Sequence, residues 1–299
     1  MAAMTRSFLS SSASSATTST KTRDISSRRQ RGLTSSSSSR ATATKTTKTL
    51  QRHLHKQKRF ATTVHAAASS EAIEKAKESG LVLAEFDKDE VIKVREQLRA
   101  NHEEEISQVE NDIVDWFIRD RKLDGEAALK KIVKYQTWRE ENFSKESLNA
   151  PAVIEEARTG KAVLMKERDV LGRPVVLVTL IKHEVATRVL EDTQKLCVKL
   201  LDEGLEELKK EGFEQETVMC VYDLRGFSMK NADIDFTKFF ISCIFDYYPK
   251  RISQVLLVEA PFVFKPVWGI IKPLMGKYSS LVKFVKAKEA NEFFESEPF

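Results

Sequence analysis

What the chain lacks narrows its chemistry first. Its three cysteines, Cys197, Cys220 and Cys243, are odd in number and widely spaced, so they form neither a disulfide framework nor a zinc site. Each sits in an apolar segment and reads as a reduced core residue. No apolar run reaches the roughly 18 to 20 residues of a membrane-spanning helix, because Asp246 and Glu259 interrupt the best candidates. There is no Gly-x-x-x-x-Gly-Lys loop and no Gly-x-Gly-x-x-Gly turn to cradle a nucleotide, and no Gly-x-Ser-x-Gly elbow to present a nucleophile. Asp223-Leu224-Arg225-Gly226 reads instead as a polar cap on a buried strand. Of five histidines only His102 and His183 lie beyond residue 70, and neither has ligand company at metal-binding spacing. His183 reads as a surface histidine just past a strand. No catalytic residue, metal or cofactor is expected, and nothing in this inventory demands an enzyme.

Acids are missing from the first 70 residues, where 13 Lys and Arg and 29 Ser and Thr accompany Asp24 alone. Such a segment cannot bury a core. It has the composition of an organelle transit peptide, assigned to residues 1–68, with Val64-His65-Ala66-Ala67-Ala68 as the processing region. The expected destination is the plastid (chloroplast), in the stroma and peripheral to envelope or thylakoid membranes. Arg59-Phe60-Ala61-Thr62 keeps the mitochondrion as the alternative. Without this leader of net +12 the chain carries 36 basic and 43 acidic residues, a net charge of −7. The basic isoelectric point therefore belongs to the leader, and no nucleic-acid partner is expected.

What is present divides in two. Residues 71–147 show helical spacing, as in Ile113, Trp116, Phe117 and in Ala128, Ile132, Tyr135. Asn149-Ala150-Pro151 is a stop and restart, since the residue before proline is pushed out of helical geometry. Residues 151–299 then alternate strands at 175–181, 218–222 and 255–258 with helices at 185–210 and 233–247, which predicts an α/β sheet. These strands are apolar at nearly every position, so both faces must be covered. One face can take the helices; the other must meet more protein or a ligand. Residues 262–288 hold six lysines and no acid, interleaved with Phe262, Phe264, Trp268, Ile270, Ile271 and Met275. Within a body of net −7 that stretch suits an anionic membrane surface, and it equally suits a core helix with solvated lysines.

Several segments together resemble the CRAL-TRIO family over about residues 113–294. They are Trp116 to Asp124 followed by Ala127-Ala128-Leu129 and Trp138-Arg139, then Gly172-Arg173-Pro174-Val175, Asp223 to Gly226, Tyr247-Tyr248-Pro249-Lys250-Arg251, Ala260-Pro261-Phe262 and Lys272-Pro273-Leu274. The resemblance implies an α/β fold: a helical N-terminal unit, then a mixed β-sheet floor with a gating helix over an apolar lipid pocket. It implies that Phe262, Phe264, Val267, Trp268, Ile271, Lys272 and Met275 form the gate and its membrane contact. It also implies that a phosphorylated lipid head is held by Arg121, Lys122 and Lys283, with Ser280 assisting. Lys250 stands where the family's phosphatidylinositol binders carry a glutamate, and Val218, Cys220 and Ile244 stand where hydroxyl side chains meet choline lipids. By charge the expected ligand is therefore phosphatidic acid or a phosphoinositide. The function implied is binding one lipid and transferring or presenting it between organelle membranes. A lipid-sensing regulator or scaffold without bulk transfer is the alternative.

Overall fold

Asp87 opens the first helix of the computed structural model, which describes Leu83 and residues 85–211 and 216–299; the transit peptide expected over residues 1–68 lies outside the described residues. The Asp87 carboxylate accepts from the Asp89 amide at 2.8 Å, starting α1 (Lys88–Ile106). Helices α2 (Asn111–Asp120) and α3 (Gly125–Asn142) follow, the latter capped by Asp124 through the Ala127 amide at 3.0 Å. Apolar residues at helical spacing lock the three together: Ile106, Val114, Phe117, Ile118, Ala128 and Ile132 are all fully buried in their shared core. A short 3-10 turn at Ser147–Asn149 precedes Pro151, which starts α4 (Pro151–Arg158) where its missing N–H is no loss.

Five strands then form one sheet in sequence order: β1 (Ala162–Leu164), β2 (Val175–Thr179), β3 (Val218–Asp223), β4 (Ile252–Val258) and β5 (Val282–Val285). The β1–β2 pair is antiparallel and the other three pairs are parallel, so the sheet is mixed. Parallel pairing requires crossovers. These are α5 (Leu190–Glu211) between β2 and β3, α6 (Ile234–Ser242) with a π turn at Cys243–Tyr247 between β3 and β4, and α7 (Lys265–Met275) between β4 and β5. Helix α8 (Ala287–Asn291) closes the described chain.

The pleat sorts the apolar strands into two layers. Val176, Cys220, Val255 and Leu257 face the core shared with α5, α6 and α7. Val175, Met219, Val221, Leu256 and Val258 face the opposite layer and meet Ala290 and Phe294. Strand β2 is shorter than its apolar run suggests. It stops at Thr179, whose amide bonds to the Lys161 carbonyl at 2.7 Å, and Leu180–Lys182 coil into a 3-10 turn. Residue 179 is level with Asp223, the end of β3, so neither neighbour offers further pairing.

Candidate ligand pocket

The first layer encloses a cavity instead of filling itself. Its floor is Val176, Val178, Cys220, Tyr222, Val255 and Leu257 from alternate positions of β2, β3 and β4, and its roof is Phe264, Val267, Trp268, Ile271 and Met275 on and beside α7. The space at its centre is about 150 Å³, and about 1270 Å³ when the gaps between lining side chains and the solvent at its mouth are counted. Burial raises the Cys220 thiol to about 12, so it behaves as a small hydrophobe in this wall. Phe264 packs edge-on against Phe227 at 5.3 Å, and Trp268 against Phe284 at 5.2 Å.

The roof helix has two faces, which divide the residues expected as gate and membrane contact. Phe264, Val267 and Met275 are buried, and Trp268 and Ile271 are half-buried against the cavity core, so these five are the inner lining in this state. The outer face carries Phe262, 80% exposed, with Ile270 at 52% and Leu274 at 43%. Lys265 and Lys272 are exposed beside them. The helix begins on Pro266 in its first turn and stops at Gly276, whose φ of 52° a side chain would strain.

Two of the expected headgroup residues meet, though on a carboxylate. Asp120, at the end of α2, receives the Lys250 ammonium at 2.9 Å and the Arg121 guanidinium at 2.6 Å. Beside Lys250 a narrow cleft lined by Ile244, Phe245 and Tyr278 has Val255 and Met275 in common with the main cavity and lies toward the N-terminal ends of β4 and β5. Lys122 is exposed in a left-handed conformation, φ 56°, at the turn after α2. The exposed Ser280 donates to the Lys277 carbonyl at 2.8 Å. Lys283 is carried by β5 between Val282 and Phe284, which face the cavity side, and its ammonium lies 5.4 Å over the Phe293 ring in the opposite layer. It is thus separated by the sheet from the lining of the main cavity.

A buried polar chain at the other end was not anticipated, and it corrects the reading of His183 as a surface residue: His183 is 4% exposed. Lys161 pairs with Glu156 at 2.7 Å and lies 3.4 Å from His183 Nδ1. His183 Nε2 is 3.0 Å from Asp233, which also takes the Arg188 guanidinium and the Phe236 amide. The Asn231 amide nitrogen donates to the His183 carbonyl at 2.7 Å. Burial lowers the affinity of His183 for a proton more than Asp233 raises it. Asp233 is opposed by burial as well, but donors from Arg188, Phe236 and His183 outweigh it and hold the carboxyl down at about 2. Asp223 does cap its strand, accepting from the Arg225 amide at 3.0 Å.

Comparison with known proteins gives this geometry a setting. Residues 157–297 match the family described as the CRAL/TRIO domain. A CRAL-TRIO domain-containing protein of Schizosaccharomyces pombe is 32% identical over 179 residues, 57% of this chain and 39% of that protein. The phosphatidylinositol transfer protein CSR1 of Eremothecium gossypii is 26% identical over 194 residues, 60% of this chain and 44% of that protein. The chain thus spans less than half the length of these two relatives. The crystal structure of Sfh5 superposes on 71% of this chain and 86% of its own, with a TM-score of 0.54 and 17% identity, a likeness of fold.

Proposed function

We propose, on the match of residues 157–297 to the CRAL/TRIO domain family, that the chain binds one lipid in the cavity beneath α7 and exchanges it at membrane surfaces. The observation that carries this is the two-sided roof. Its inner face completes an apolar chamber, and its outer face offers Phe262, Ile270 and Leu274 beside lysines. An exposed apolar group rimmed by cations is suited to an anionic bilayer, where the rings enter the headgroup zone and the ammonium groups stay wet. Movement of α7 toward the bilayer would open the chamber along its length. Catalysis plays no part in this reading.

The cationic group that Arg121 and Lys250 form around Asp120, next to the small cleft, is suited to a phosphorylated head. The Arg121 side chain is about one third exposed, and Lys122 stands in solvent beside it. Phosphatidic acid and phosphoinositides are the proposed ligands, because an anion at an apolar mouth needs charge-assisted partners to offset its lost hydration. The proposed site of action is the plastid, on the acid-poor composition of residues 1–68. Transfer of labelled phosphatidic acid between liposomes by the full-length protein tests the function. Transfer well above the spontaneous rate is expected, and stoichiometric binding without transfer would establish a sensing role instead. A fluorescent fusion that stays cytosolic with or without residues 1–68 would remove the targeting proposal.

A further inference from the structure

The cavity is polar at one end in a way that its role as an apolar chamber does not require. Lys161, His183, Asn231, Asp233 and Tyr222 line it where β2 and β3 finish. Lys250 and Tyr278 instead precede β4 and β5. Because β2 to β5 are parallel, these two polar regions lie at opposite ends of the sheet.

The inner region has no net charge, since Glu156 and Asp233 are matched by Lys161 and Arg188. His183 is neutral in this arrangement. An ammonium offers only donors, so Nδ1, which faces Lys161, must be the lone-pair nitrogen, and Nε2 carries the proton toward Asp233. These groups all have protein partners. Tyr222 differs: it projects from the pocket face of β3, edge-on to Phe240 at 6.3 Å, and its hydroxyl joins no hydrogen bond among the described residues. Tyr222 is only half-buried, so its hydroxyl opens on the cavity, where an acceptor brought by a ligand would take the place of water. Lys161 also has a third N–H beyond those directed at Glu156 and His183.

We infer that this end of the cavity receives a neutral hydrogen-bond-accepting oxygen of the bound ligand, a carbonyl or hydroxyl, through the Tyr222 hydroxyl and the remaining N–H of Lys161. The inference rests on the lipid-pocket reading and narrows it. The deeply placed part of the ligand is an oxygenated hydrophobe instead of a bare hydrocarbon terminus. With the charges already balanced, an anion there would have no counter-charge, so a phosphate belongs at the Lys250 end.

The polar chain could also serve only to clasp α4, the 3-10 turn after β2 and α6. Tyr222 is outside that clasp, which makes it the discriminating residue. Full-length protein is loaded with diphenylhexatriene, which is then displaced by dodecane or by the methyl ketone of equal chain length. Tyr222→Phe keeps the ring and removes the oxygen alone. It is expected to weaken the ketone about three- to tenfold, to leave dodecane unchanged, and not to lower the thermal midpoint. Lys161→Met combined with Glu156→Gln removes both members of an ion pair together and is expected to cause the same selective loss. Unchanged ketone affinity in both variants overturns the inference while the pocket reading stands. Failure of diphenylhexatriene to bind the wild-type protein overturns the pocket reading and this inference with it.

Discussion

His183 shows how an ordinary residue acquires a role from partners far along the chain. Its immediate neighbours Lys182 and Glu184 are polar, and no local motif marks it for burial. Its partners Lys161 and Asp233 are 22 and 50 residues away. The sequence therefore could not distinguish it from a surface histidine; only the sheet, by ending β2 and β3 level with one another, assembles the cluster. The sign of its titration follows from burial. The folded state lowers His183 below its ordinary 6.5, so the unfolded chain binds the proton first as pH falls. The stability it contributes is present above pH 6.5 and is lost as pH drops toward the folded value. Asp233 acts in the same sense further down, from its ordinary 3.8 toward about 2. The thermal midpoint should accordingly be level above pH 6.5 and decline as the pH falls below it. His183→Gln, which cannot titrate, should flatten that decline. A midpoint that rises on acidification would mean that the folded protein favours the imidazolium against Asp233.

At the scale of elements, the strands were the most legible part and the roof helix the least. Continuous apolar runs such as Val218 to Val221 declare a strand covered on both faces. The segment from Phe262 to Met275 is apolar nearly all round, so its periodicity could not say which side faces in. The structure decides this through packing: Phe264 enters the core against Phe227, while Phe262, two residues earlier, stands in solvent. Their truncations should part accordingly. Phe264→Ala removes a buried ring from the roof and should cost about 3 kcal/mol in urea unfolding. Phe262→Ala should alter stability by less than about 0.5 kcal/mol yet weaken binding to anionic liposomes in a sedimentation assay. Equal stability losses would show that Phe262 is packed in solution; unchanged liposome binding would place the membrane contact elsewhere.

For the whole molecule, the question is what holds the helical unit α1–α3 to the sheet, and the answer lies in the run from Tyr247 to Arg251. Every residue of that run meets the helices or α5. Tyr247 stacks on Trp138 at 4.0 Å and 7°, the Tyr248 hydroxyl sits between Asp202 and Arg139, and the Pro249 carbonyl accepts from the Trp116 indole at 2.8 Å. Lys250 reaches Asp120, and the Arg251 guanidinium lies 3.2 Å over the Trp116 ring. The run is recognisable in the sequence as a motif, but its partners, up to 133 residues distant, are not. One consequence concerns Lys250, read from the sequence as a cation available to a lipid. Its charge is already engaged by a carboxylate that is 2% exposed, so a phosphate would have to compete with Asp120. The two members of the pair should not be equivalent. Lys250→Met leaves Asp120 with Arg121 still in place and should cost about 1 kcal/mol, whereas Asp120→Ala strands a largely buried ammonium and should cost about 3 kcal/mol. Combining the two changes should cost less than their sum, because once Lys250 is gone no buried cation remains to be stranded. Urea unfolding of the full-length variants measures all three. Strictly additive losses would show that the Lys250–Asp120 contact carries no coupling and that the other contacts of this run hold the helical unit without it.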